Sequence, residues 1–123
     1  MEYNIDMKII QLQYFVEVVK TNNISKAAKN LYVSQPAISS AIRELEKEFN
    51  TSLFIRYNNQ ITLTDEGHYL YRLALELLDN FEKVRSDMYS FVKKISTAIQ
   101  FVLVIFCSII LVHLSLLDSK SLS

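Results

Sequence analysis

From Leu70 onward, apolar residues recur in alternating steps of four and three: Leu70, Ala74, Leu77, Phe81, Val84, Met88, Phe91 and Ile95. A seven-residue repeat of this kind is kept only by one continuous helix, and it marks a helix that packs against another helix. It extends further than one small domain can cover. That favours pairing of two chains through Leu70, Ala74, Leu77, Phe81, Val84, Met88 and Phe91, and parallel and antiparallel pairing fit the spacing equally. With one Gly and one Pro in 123 residues, long flexible connections are not expected, and the rest of the chain should be mostly helical too.

Upstream, Leu12, Phe15, Val16 and Val19 form the apolar stripe of a first helix over residues 8–21. Asn22 and Asn23 are placed to end it in a left-handed turn. Ser25 is read as the N-cap of a short second helix over residues 26–31, whose Ala27 and Ala28 allow close approach of a neighbour. After a turn at Tyr32 and Val33, Ser34 caps a third helix over residues 35–49. Pro36 falls in its first turn, where a missing N–H loses no intrahelical bond.

Ile38, Ala41, Ile42, Leu45 and Phe49 fall on one face of that third helix and are expected to pack on the first two. Gln35, Ser39, Ser40, Arg43 and Lys47 fall on the other. Short side chains near the N-terminus and cations farther along suit a helix presented end-first to a DNA major groove, its dipole drawing phosphate. Residues 53–56 and 61–63 read as two strands joined through Tyr57, Asn58, Asn59 and Gln60, a wing whose asparagines tolerate positive φ. Thr64 is placed to cap the long helix, with Asp65 and Glu66 at the positive end of its dipole.

This order of elements resembles the DNA-binding part of the LysR-type regulators, and so do specific residues from Leu12 to about Leu78. Phe15, Val18 and Val19 look like the family's first helix, and Ser25-Lys26-Ala27-Ala28 like its second. The most specific stretch is Val33-Ser34-Gln35-Pro36-Ala37-Ile38-Ser39 followed by Ile42, Leu45 and Glu46, which resembles the recognition helix. Leu53-Phe54 with Arg56, then Leu63-Thr64 and Gly67, resembles the wing and the start of the linker helix. The resemblance implies that Ser34, Gln35, Pro36, Ser39 and Arg43 lie at double-stranded DNA, and that Arg56 meets the adjacent backbone or minor groove. Ser25 and Ser40 complete the expected DNA-binding set. Ser40 and the Asn58-Asn59 tip stand where relatives are often basic, which predicts a shallow salt dependence. Asn22 and Asn50 stand at frequent glycine positions, tolerable at helix ends.

The resemblance also implies a two-lobed α/β effector domain, which these 123 residues do not include. No small-molecule ligand is therefore expected. The 23 residues 95–117 contain no Lys, Arg, Asp or Glu and are long enough to cross a bilayer as a helix. Lys93 and Lys94 precede them and Asp118 follows, so a span here would leave the DNA-binding part in the cytoplasm. Two origins for this tail stand side by side: a selected single-pass anchor in the bacterial inner membrane, and out-of-frame residues left by a frameshift or truncation.

The 13 basic and 13 acidic residues cancel, so any surface for DNA must be local. His68 and His113 have no carboxylate or thiol at metal-ligand spacing, and the single Cys107 has no partner for an internal disulfide. Neither a phosphate-binding glycine loop nor a nucleophile with its base is present, so no enzyme activity, metal or cofactor is expected. The expected architecture is mainly α: a winged helix-turn-helix with a two-stranded wing (1–64), a long dimerisation helix (65–94), an apolar C-terminal helix (95–117) and a tail (118–123). Its expected function is sequence-specific DNA binding as a homodimer in transcription regulation. Two other functions fit the same residues: a fragment that forms heterodimers with related regulators through its linker helix, and a small membrane protein with a vestigial helix-turn-helix.

Overall fold

The computed structural model describes residues 6–121. The order is three helices, a hairpin and a long helix: α1 (Ile9–Thr21), α2 (Ile24–Leu31), α3 (Gln35–Phe49), β1 (Phe54–Tyr57), β2 (Gln60–Leu63) and α4 (Asp65–Ser121). This is the expected mainly helical, winged helix-turn-helix architecture, with a two-stranded wing and a long C-terminal helix.

Each boundary in the first four elements has a local cause. Asn22 (φ 52°) ends α1 in the left-handed region, its N–H donating to the Val18 carbonyl at 2.8 Å. Asn23, not Ser25, caps α2: its side-chain oxygen accepts from the Lys26 N–H at 3.0 Å, and Ser25 is already the second residue of the helix. The correction has a packing reason, because starting at Ile24 lets that side chain join the cluster around Val18 and Ile38. Ser34 caps α3 as its sequence position implies, accepting from the Ala37 N–H at 3.3 Å. Asn50 (φ 49°) ends α3, and the Thr51 N–H returns to the Glu46 carbonyl at 3.0 Å.

In the wing, Phe54 pairs with Leu63 and Tyr57 with Gln60 in an antiparallel register. The connection is the two residues Asn58 and Asn59, with φ of 47° and 59°. Left-handed conformation at both positions is what a tight hairpin turn matched to strand twist requires. Thr64 then starts α4, its hydroxyl oxygen accepting from the Gly67 N–H at 3.0 Å.

The chain divides into two compact units, the first ending at Phe81 and the second beginning at Glu82. In the first, one core cluster joins Leu12, Phe15, Val16, Leu45, Leu53 and Ala74, and another joins Val18, Ala27, Ala28, Ile38 and Ile42. Phe54 packs on both clusters, its ring 5.4 Å from that of Phe15 in a tilted pair. Ala74 is 1% exposed, so the early turns of α4 complete this core, and the unit runs past the expected boundary at residue 64. Phe49, expected inside, is 46% exposed. It keeps the helical period of Leu45 but lies one turn beyond the core's edge, on an open apolar groove with Leu53, Tyr69, Leu70 and Leu73. The second unit is helical through Ser121, and its described side chains are exposed.

Candidate nucleic-acid interface

The exposed end of α3 is built by its cap. Because the Ser34 hydroxyl oxygen is engaged by the Ala37 N–H, its own proton is left to donate outward. Gln35 and Pro36 follow it into solvent, and Ser39 and Ser40, one turn on, are half-buried. Arg43 is exposed, and among the described residues no carboxylate pairs with it. The inward face is closed by Ile38, Ala41, Ile42 and Leu45, all buried. One helix thus divides cleanly into a face that holds the core and a face that offers a hydroxyl, an amide and a guanidinium.

The wing lies beside that outer face. Ser39, Arg43 and Arg56 line one groove with Ile42, Glu46, Ser52 and Phe54. Helix α3 and the wing are fastened together there by Glu46, whose carboxylate accepts from the Leu53 N–H at 2.9 Å. Ser52 and Thr64 carry the fastening across the hairpin's base: the Thr64 hydroxyl donates to the Ser52 carbonyl at 2.6 Å, and the Thr64 N–H to the Leu53 carbonyl at 3.1 Å. Of the sequence-predicted DNA-binding residues, Ser34, Gln35, Pro36, Ser39, Ser40 and Arg43 therefore share α3 and its cap, and Arg56 joins Ser39 and Arg43 at the groove. Ser25 does not line that groove; it is half-buried at the start of α2.

Two residues set this geometry through contacts that helical period does not reveal. Glu46 belongs to the family-like stretch of α3, but only the return of the chain after Asn50 brings the Leu53 N–H to its carboxylate. Gln11 is buried on α1, where its amide donates to Glu44 and its carbonyl accepts from the Lys8 N–H at 2.9 Å, tying α1 to α3. Along the predicted dimerisation stripe, Leu70 and Ala74 pack into the domain's own core, whereas Leu77 and Phe81 are exposed. In the second unit Val84, Met88 and Phe91 are exposed as well.

A three-helix core with a two-stranded wing, presenting the capped end of its third helix, defines a winged helix-turn-helix module. Residues 9–68 match the family model described as "Bacterial regulatory helix-turn-helix protein, lysR family". The chain belongs to this family. It is similar to the HTH-type transcriptional regulator CitR of Bacillus subtilis, 41% identical over 78 residues that make up 63% of this chain and 27% of CitR. It is also similar to the regulator BenM of Acinetobacter baylyi, 36% identical over 91 residues, 74% of this chain and 29% of BenM. The crystal structure of the BenM DBD with catB site 1 DNA matches with a TM-score of 0.63 and 37% identity, covering 73% of this chain and 96% of that one. The CbnR DBD in its DNA complex matches with a TM-score of 0.64 and 32% identity, over 68% of this chain and 97% of that one. The chain spans between a quarter and a third of the length of these curated relatives, which are transcriptional regulators.

Proposed function

We propose that the N-terminal unit binds double-stranded DNA in a sequence-specific manner, as a two-fold homodimer in the cytoplasm, and regulates transcription through occupancy of its site. The observation that carries this reading is the groove shared by Ser39, Arg43 and Arg56, next to the exposed Gln35 and Pro36. In it, α3 enters the major groove by its N-terminal end. Gln35 bonds an adenine edge through its amide, Pro36 meets a thymine methyl, and Arg43 reaches a guanine edge or phosphate. Arg56 contacts the backbone beside the wing. Two such helices related by a dyad read half-sites one helical turn apart, or a multiple of it, so the site is pseudo-palindromic.

The test is selection of a binding site from random duplex DNA, followed by mobility shifts with Gln35→Ala and Arg43→Ala. Each truncation should weaken binding by about 1–3 kcal/mol, roughly 5- to 150-fold, with helical content unchanged by circular dichroism. Undiminished binding by both variants would remove α3 from the interface and refute the reading.

A further inference from the structure

The second unit contains a surface that DNA binding does not use. Residues 95–117 are helical throughout, and every side chain among them is exposed. Four consecutive residues of a helix point to four different sides, since each step turns by about 100°. Phe101, Val102, Leu103 and Val104 are such a set, 67%, 63%, 56% and 64% exposed. Further along, Ile105, Phe106, Ile109, Ile110, Leu111 and Val112 continue the same pattern. A partner helix or a groove covers one stripe, whereas apolarity on all sides calls for an apolar surrounding medium. The Leu77–Phe81 region differs in this respect, because charged residues such as Glu76, Asp79, Glu82 and Lys83 break up its circumference.

Three further observations select a lipid bilayer as that medium. The 23 residues rise about 34 Å at ~1.5 Å each, against a hydrocarbon thickness of roughly 30 Å. The flanks are charged. Lys93 and Lys94 border a shallow apolar recess with Ala98 and Phe101, where their stems can lie along hydrocarbon while the ammonium groups reach the headgroups. The Thr97 hydroxyl, just inside this boundary, donates to the Lys93 carbonyl at 2.9 Å and so brings no unsatisfied donor into the apolar layer.

We infer that residues 95–117 cross a phospholipid bilayer once, with Lys93 and Lys94 at the cytoplasmic surface. The orientation follows from that Lys pair immediately before the apolar stretch. The inference stands independently of which DNA sequence is bound, or whether any is.

The only cysteine, Cys107, lies at mid-span and serves as a native probe. The full chain, expressed in bacteria, should float with membranes in a density gradient after an alkaline carbonate wash. Cys107 should resist a membrane-impermeant maleimide in intact and in lysed cells, and react once detergent dissolves the bilayer. In a Cys107→Ser background, Ser90→Cys should label only after the inner membrane is opened, and Ser119→Cys should label in intact spheroplasts. A chain that stays at the bottom of the gradient, or in the soluble fraction, overturns the inference even if Cys107 is protected, since another protein surface then covers the helix. Floating chain with the two labelling patterns exchanged overturns the orientation.

Discussion

A Cβ added at Gly67 would sit 2.2 Å from the Leu53 carbonyl oxygen and 2.8 Å from Leu63 Cδ2. That carbonyl is already fixed by the Thr64 N–H, so the first turn of α4 has nowhere to retreat without pulling on the wing. Gly67→Ala should therefore cost about 1–3 kcal/mol, as overpacking typically does, and lower the melting temperature of the first unit by roughly 4–8 °C per kcal/mol. Glu46 supports a second prediction of a different kind. Glu46→Ala leaves the buried Leu53 N–H without its acceptor, a loss of about 1–3 kcal/mol, and frees the wing from α3. Glu46→Gln keeps an acceptor oxygen and should restore both melting temperature and DNA retention. If the alanine variant alone melts like the parent, the Glu46 tether has no structural role. Local rules named the cap of α3 correctly and missed that of α2 for one reason. Asn23 and Ser25 are both good capping residues, and the choice between them is made by the burial of Ile24 against residues far away in sequence.

At the level of elements, the proposed DNA interface is divided between α3 and the β1–β2 hairpin. Gln35 is neutral and stands at the end of α3, whereas Arg56 is a cation on β1. Gln35→Ala should relax preference at one base position and leave the salt dependence of binding alone. Arg56→Ala should weaken binding to all sequences alike and reduce the slope of log K against log salt by about 0.9, the value of one phosphate contact. Mobility shifts at several salt concentrations on matched and mismatched sites separate the two. A change of slope for Gln35→Ala, or of base preference for Arg56→Ala, would reverse the assignment. These elements were legible in sequence because their signals are local: the Ser34 cap with Pro36 behind it, the paired asparagines of the wing tip, the period of α1. Phe49 and Ala74 were misplaced for the opposite reason. Helical period tells which side of a helix a residue lies on, and it does not tell where along the helix the core stops. Phe49 falls beyond that edge, and Ala74 falls inside it on a helix whose pattern continues well past the domain.

For the molecule as a whole, a neutral net charge means that long-range attraction would add little to the proposed DNA complex, and the proposed dimer gains strength by engaging two half-sites at once. Leu77 and Phe81 are the exposed members of the repeat in the first unit, and placing a charge there should undo pairing without touching the core. Leu77→Glu is expected to sediment as a monomer at concentrations where the parent is a dimer, and to lose about 100-fold or more in affinity for a two-half-site duplex. Its affinity for an isolated half-site should not change. Among the described residues, the buried ones of the first unit lie between Gln11 and Ala74. That order matters on the ribosome, where chains grow at about 5–20 residues per second and early domains fold first. The first unit has its buried positions synthesised before residues 95–117 are made, so whatever receives that stretch captures a chain whose N-terminal unit is free to fold first.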